Sequence, residues 1–165
     1  AVQCTPQSPN CLFCPLSGSC RALSEGKVQQ LPVKQHRTKT TNRYFNYIYV
    51  RMGAHTLIHK RTEDDIWKNL FELPLVETEK DLSEEEFLAC PQFHALFAEG
   101  EVRMVRTLLR GVKHVLSHRV IYTNFYEVTL PDNSSSFSSY QRVAVEDLDR
   151  YAVPRLIHAF LEKYV

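Results

Sequence analysis

Four of the five cysteines fall within the first twenty residues, Cys4, Cys11, Cys14 and Cys20, spaced C-x6-C-x2-C-x5-C. Four thiolates in so short a loop can surround one metal centre, either a zinc ion with four sulfurs or a four-iron cluster with one cysteine per iron. Zinc sites usually pair two close-set C-x2-C knuckles. Only Cys11 and Cys14 form such a pair here, whereas Cys4 and Cys20 reach in over longer loops, as a bulkier cluster needs. Two disulfides would imply secretion, yet the N-terminal residues show no basic-then-apolar signal pattern, and Cys90 would be left over. The bland alternative is four ordinary cysteines in a loop rich in Pro, Ser, Gly and Asn.

A second group with chemical potential is His114-Val115-Leu116-Ser117-His118, a polar stretch between two apolar runs. It lies within a segment from Arg103 to Arg119 that holds five bases and no acid. Lys27 to Arg61 likewise holds eight Lys or Arg and no acid, while Glu63 to Glu101 holds twelve acids and two bases. Segregation of this kind gives either a face suited to phosphate or two solvated faces of opposite sign. The net charge of +1 conceals it.

The elements that must position these residues follow from pattern. The length of 165 residues suits one domain, or one with an appendage, and 44% hydrophobic content suits a folded α+β or α/β core. No apolar run approaches the roughly 20 residues of a membrane span. Arg21 to Arg43 reads as a polar connector. Tyr44 to Arg51 reads as a strand, Met52-Gly53-Ala54 as a turn, and His55 to Arg61 as the returning strand of a hairpin. Asn69 to Leu73 is a short strand stopped by Pro74. Ser83 and Glu86 have capping-box spacing, so a helix starts there; it is interrupted near Pro91 and resumes through Phe93, Leu96 and Phe97. Val102 to Leu109, Val112 to Leu116 and Arg119 to Leu130 read as three strands, with Val120, Tyr122, Tyr126, Val128 and Leu130 on one face of the last. Pro131 to Ser139 is a loop. Pro154 opens a closing helix with an apolar stripe of Leu156, Ile157, Phe160, Leu161 and Tyr164.

The cysteine run, with Pro15 directly after Cys14, resembles the iron–sulfur loop of the endonuclease III and MutY glycosylases. Arg21 follows the last cysteine, and Leu31-Pro32-Val33-Lys34 resembles the exit of that loop towards a second domain. Ile66-Trp67-Lys68-Asn69-Leu70-Phe71-Glu72-Leu73-Pro74 resembles the W-x-x-L-W-E-F-P stretch of MutY C-terminal domains, with Phe71 for the second Trp and Leu73 for the Phe. Trp67 is there for packing and loop anchoring. The resemblance implies an α+β (mixed-sheet α/β), Nudix-like or MutT-like domain preceded by a cysteine-rich iron–sulfur loop. The implied organisation is 1–23 for the loop, 24–42 for a basic connector and 43–165 for the Nudix-like domain. It implies a [4Fe–4S] cluster on Cys4, Cys11, Cys14 and Cys20.

Leu116-Ser117-His118 resembles the Phe-Ser-His loop that contacts 8-oxoguanine in MutY C-terminal domains, with Leu116 departing from the Phe. The implied partner is double-stranded DNA carrying 8-oxoguanine opposite adenine, with phosphate contacts drawn from Lys34, Arg37, Lys39, Lys113 and Arg119. In this family the helix-hairpin-helix and the catalytic acids precede the cysteine loop, so no catalytic residue is expected in this chain. The second implied partner is an N-terminal helical glycosylase domain, the setting is the bacterial cytoplasm at the nucleoid, and no membrane is involved. A Nudix hydrolase needs G-x5-E-x7-R-E-U-x-E-E-x-G-U to hold magnesium. Glu77, Glu79, Asp81, Glu84, Glu85 and Glu86 follow Pro74 without its Arg-Glu pair, later glutamates and glycines. The acids of the helix start suit the helix dipole instead. A metal-stabilised protein-interaction module is the remaining alternative.

The cysteine reading makes a direct prediction. The intact enzyme that the resemblance implies, prepared without air, should be brown and carry about four irons per chain; stoichiometric zinc with no visible absorption would exclude the iron–sulfur assignment.

Overall fold

The computed structural model describes residues 3–5, 8–31 and 40–165. The chain divides into two compact units, Ala1–Lys39 and Thr40–Val165. In the first unit, helix α1 (Arg21–Ser24) follows Cys20 and a 3-10 turn spans Val28–Gln30. Tight turns carry the cysteines: the Cys14 N–H donates to the Cys11 carbonyl and the Ser17 N–H to the Cys14 carbonyl.

The second unit is built on two sheets. Strands β1 (Thr41–Arg51), β4 (Leu75–Thr78), β5 (Met104–Val115) and β6 (Arg119–Thr129) form a four-stranded sheet in the order β4-β1-β6-β5. The central β1–β6 pair is parallel and the two outer pairs are antiparallel. Strands β2 (His55–Lys60), β3 (Phe71–Glu72) and β7 (Gln141–Ala144) form an antiparallel sheet in the order β3-β2-β7. Three helices complete the unit: α2 (Glu84–Leu88), α3 (Pro91–His94) and α4 (Arg155–Tyr164). Among the described residues no helix is long and apolar enough to cross a membrane.

Burial explains why β1 shows no clean alternation. Phe45 to Val50 are all buried. Phe45, Tyr47 and Tyr49 join Ile58, Ile121, Phe125, Val143 and the α4 residues Leu156, Ile157 and Phe160 in one core cluster. Ile48 and Val50 join Val76, Phe87, Phe93, Tyr126, Val128 and Leu130 in the other. A parallel pair covered on both faces is expected to be apolar on both. The face expected on β6 is therefore half of the story: Tyr126, Val128 and Leu130 are buried on it, Val120 and Tyr122 only partly, and Ile121 and Phe125 are buried in the opposite cluster.

Three features depart from the sequence expectation. β1 and β2 do not pair as a hairpin. The chain turns at Gly53, bridged by reciprocal Met52–His55 backbone bonds of 3.0 Å, and passes from one sheet to the other. The two strands expected over 102–116 are one bulged strand, β5, with register shifts between Thr107 and Leu109 and between Leu109 and Val112. Gly111 lies at φ +69°, where a glycine is tolerated and most residues are not. Its N–H donates to Asn124 Oδ1 at 2.9 Å, and Asn124 Nδ2 donates to the buried Asn46 Oδ1 at 3.0 Å. Gly111, within the bulge, thus keeps a hydrogen-bond partner for its N–H. Finally, β4 and β7 are too short to have been visible as periodic runs.

Other expectations hold in whole or in part. Ser83 and Glu86 form a reciprocal capping box on α2; α3 begins at Pro91 but ends at His94, so Leu96 and Phe97, expected to continue it, lie in the turn that follows. Pro154 sits at the N-cap of α4, and its stripe supplies Leu156, Ile157 and Phe160 to the core. The Phe125 ring lies parallel to Phe160 at 4.1 Å and stacks on Tyr47 at 5.6 Å. Phe125→Ala removes a fully buried ring from between two others and should cost about 3–5 kcal/mol of stability by urea denaturation. A loss below about 1 kcal/mol would mean that the cluster closes over the gap.

Candidate functional site

The β5–β6 connection is a tight turn at Leu116, Ser117 and His118. The Leu116 N–H donates to the Arg119 carbonyl at 2.8 Å, closing the turn. The Thr41 N–H donates to the His118 carbonyl at 3.2 Å, tying it to the start of β1. Ser117 and His118 are exposed, while Leu116 is half-buried against the core. The leucine therefore anchors the turn and the two polar side chains face solvent. A hydroxyl can donate and accept, and an imidazole can do either according to tautomer, so the pair can meet a ligand edge that presents both functions.

The flanking residues divide by face. Lys113 is exposed, opposite Tyr122, which in turn is opposite Tyr44 on β1. The two tyrosine rings stack at 5.4 Å and 17°. A lysine beside half-exposed stacked aromatics suits phosphate and ring contact. On the opposite face His114 approaches Trp67, with ring centroids 5.8 Å apart. Trp67 also meets the Phe45 ring edge-on. Trp67 and Asn69 both have positive φ, uncommon for such residues, so the 61–70 loop has an unusual backbone course. Backbone bonds from Asn69 N to Arg61 O and from Leu70 N to Trp67 O hold it.

That loop carries Asp65, whose carboxylate is shared by three guanidinium groups. Arg119, the residue after the turn, donates to Oδ1. Arg43 Nη1 at 2.6 Å and Arg61 Nη2 at 3.1 Å donate to Oδ2. Arg43 also grips Glu77 through two 2.6 Å bonds. Arg61 Nη1 contacts both oxygens of Glu72 at 2.8 Å, and the Tyr47 hydroxyl donates to Glu72 at 2.9 Å. Arg61 and Glu72 are buried, at 8% and 2% exposure. Burial alone would push the Asp65 carboxyl up, but the hydrogen bonds from Arg119 and Arg43 and from the Ile66 backbone hold it well below the usual carboxylate range. The hydrogen bond to Glu77 raises Arg43 above its ordinary value, and burial beside Glu72 raises the Tyr47 hydroxyl. A cleft of about 330 Å³ opens beside this network, lined in part by His59, Lys60, Arg61, Glu72 and Tyr140.

The expected site residues therefore have different surroundings. Ser117 and His118 are exposed on the turn that Leu116 anchors, and Lys113 is exposed further along β5. Arg119 is engaged by Asp65. Lys34, Arg37 and Lys39 lie outside the described residues. The four N-terminal cysteines are free thiols, which suits thiolate ligation, but among the described residues no three of His, Cys, Asp and Glu converge as a metal-ligand group. Glu86 is engaged in the capping box, and Glu84 and Glu85 are exposed on a five-residue helix. Sequence reasoning missed the Asp65 network and the Tyr44–Tyr122 stack. The only signal for the former was the abutment of basic and acidic blocks at Arg61 to Asp65.

A family model described as NUDIX domain matches residues 46–163. An adenine DNA glycosylase of Buchnera aphidicola subsp. Acyrthosiphon pisum is 24% identical over 98% of this chain and 44% of its own length. One from subsp. Schizaphis graminum is 33% identical over 47% of this chain and 22% of its own length. The chain thus spans less than half the length of these curated relatives. The C-terminal domain of mouse MUTYH, solved in complex with human PCNA, superposes with a TM-score of 0.54 at 15% identity, covering 74% of this chain and 86% of that one. A MutT protein from Methanosarcina mazei Go1 gives 0.51 at 16%, covering 77% and 95%. The last two likenesses concern the fold.

The depressed Asp65 carboxyl makes stability pH-dependent with a definite sign. Its contribution is complete above the ordinary aspartate value, near 3.8, and is lost as pH falls below that value towards the lower folded one. Trp67, the one tryptophan, lies two residues away and reports the loop. Its emission should be constant above about pH 5 and change in the acid limb. Asp65→Asn should lower stability at neutral pH and flatten that limb, and an unaltered limb would assign acid sensitivity to other carboxylates.

Proposed function

Since the chain belongs to the NUDIX domain family, and since its turn exposes Ser117 and His118 on a hairpin that also exposes Lys113, we propose that it reads the 8-oxoguanine strand of DNA as the C-terminal region of an adenine DNA glycosylase. The observation that carries this reading is the exposed Ser117–His118 pair on a turn closed by its own backbone bond and anchored by Leu116. Similarity to adenine DNA glycosylases over 98% of the chain supports it.

The chemistry matches the lesion. Oxidation converts the guanine N7 from an acceptor into an N–H donor and adds an oxygen at C8. A serine hydroxyl can accept from the first or donate to the second. Lys113 contributes phosphate attraction that is blind to sequence. Lys34, Arg37 and Lys39 are proposed as further phosphate contacts. Excision of adenine requires it to be flipped from the stack, so a unit that checks the opposite base adds selectivity to a helical domain that does the chemistry. The cysteine unit, 1–23, is proposed to belong with that domain and to hold a [4Fe–4S] cluster on Cys4, Cys11, Cys14 and Cys20, with 24–42 as connector. The setting is proposed to be the bacterial cytoplasm, at the nucleoid. Hydrolysis of nucleoside triphosphates is not part of the proposal, because the sequence lacks the carboxylate pattern that would hold magnesium.

The test is a ratio. Affinity for duplex carrying 8-oxoguanine opposite adenine, divided by affinity for duplex carrying guanine there, should exceed one. Ser117→Ala removes one neutral hydrogen bond, about 0.5–1.5 kcal/mol, so the ratio should fall roughly threefold to tenfold. Lys113→Ala should weaken both duplexes alike and make binding less salt-dependent, by about 0.9 log units per decade of salt for one lost contact. Retention of the full ratio by Ser117→Ala and by Ser117→Ala/His118→Ala would refute the assignment.

A further inference from the structure

We infer that Asp65 is a positioning residue for the recognition turn: it clamps Arg119, the residue that follows Ser117 and His118, and thereby keeps Arg119 from phosphate while fixing the turn. The inference rests on the proposed reading of Ser117 and His118. Two contacts link the 61–70 loop to the end of the β5–β6 hairpin, one on each strand. Asp65 pairs with Arg119 on β6, and Trp67 packs against His114 on β5. The loop is itself immobilised. Arg43 and Arg61 donate to the other Asp65 oxygen, and Arg61 is locked by the buried Glu72. The Arg61 Nε–H donates to the Ile66 carbonyl at 3.0 Å, and the backbone bonds of Asn69 and Leu70 complete the bracing.

The arrangement is directional in its consequences. Asp65 is braced by two arginines besides Arg119, whereas the Arg119 side chain retains 37% exposure. Asp65 is therefore the fixed end of the clamp and Arg119 the held end. A guanidinium whose charge is already paired with a carboxylate offers a phosphate less net attraction than a free one, so little affinity for DNA is gained. A freed Arg119 would meet phosphate without regard to the base and drag the turn with it. Clamping thus separates two duties on adjacent residues: Lys113 attracts the backbone, and Ser117 reads the base edge from a fixed position.

Binding of the two duplexes across a salt series tests this with the full chain and three variants, Asp65→Asn, Arg119→Gln and the double variant. Asp65→Asn should lower the 8-oxoguanine ratio about threefold, within the range set by loss of the serine bond. It should also strengthen binding to undamaged duplex and steepen its salt dependence by about 0.9 log units per decade, one added phosphate contact. Arg119→Gln should lower the ratio similarly without reducing the salt dependence. The double variant should match Arg119→Gln, because both changes break one pair. A merely structural Asp65 would not steepen the salt dependence. If Arg119→Gln keeps the ratio and loses one contact from the salt dependence, Arg119 is an ordinary phosphate ligand and the inference is overturned. Should Asp65→Asn fail to fold, as judged by its thermal transition, Arg119→Gln decides alone by the same criterion. An unmodified chain that shows no preference overturns the proposed reading itself and the inference with it. A preference that Ser117→Ala reduces but Asp65→Asn and Arg119→Gln leave intact overturns the inference alone.

Discussion

The parallel β1–β6 ladder constrains nearly everything else in the second unit. It runs in unbroken register from Thr41 opposite Arg119 to Arg51 opposite Thr129. Both of its faces are buried, so a slip of one residue would exchange Phe45, Tyr47 and Tyr49 with Asn46, Ile48 and Val50 across the sheet. The two faces are not interchangeable: one meets the flat rings of Phe125 and Phe160, the other the amide of Asn124. Once the register is set, the start of the ladder is also set. Arg119 begins β6 and Arg43 lies opposite Ile121, which brings both guanidinium groups to Asp65. The polar turn at Ser117 and His118 is therefore located by core packing a dozen ångströms or more along the strands.

The ion-pair network has a different logic. Taking a carboxylate and a guanidinium out of water costs several kcal/mol each, and the attraction between them about offsets it. Arg61 and Glu72 therefore add little net stability, but removal of either leaves an uncompensated buried charge, at a cost of about 3–5 kcal/mol. What the network supplies is geometry. Bidentate and shared contacts fix guanidinium planes, and those planes fix the loop that carries Trp67. Arg43, Arg61 and Arg119 balance Asp65, Glu72 and Glu77 in charge, so the network carries no net charge of its own.

Much of the fold was legible because the signals were local. The aromatic and β-branched run from Tyr44, the Ser83–Glu86 capping box and the stripe of α4 each depend on neighbouring residues, and each forms as expected. What escaped was nonlocal. Nothing in His55 to Lys60 reveals that this strand leaves β1 for another sheet, since that choice depends on β7, more than eighty residues later. Arg110 and Gly111 fell between two expected strands, whereas the ladder continues through them as one strand, with Asn124 accepting from the Gly111 N–H. The charge blocks were open to two readings for the same reason. Segregation along the chain suited either a phosphate-facing side or two solvated faces, and in space Arg43 finds Glu77 and Arg119 finds Asp65, so part of it is cancelled. That Arg119 pairs with Asp65, beside Ser117 and His118 in sequence, could not be read from the residues either.

This difference bears on how a Nudix-type fold can act by recognition. Telling 8-oxoguanine from guanine means sensing one added oxygen and one added proton. Hydrogen bonds fall off steeply beyond about 3.2 Å and below about 120°. A hydroxyl on a wandering turn would average that geometry away, and the side-chain entropy of fixing it at each encounter would oppose binding. A turn braced before DNA arrives does not incur that loss. Here bracing comes from four directions: the Leu116–Arg119 backbone bond, the Thr41–His118 bond, the Asp65–Arg119 pair and the Trp67–His114 contact. None of them uses the side chain of Ser117 or His118. Under the proposed reading, structural restraint and recognition fall on different atoms, and the polar edge could be tuned to a base without loosening the hairpin that carries it.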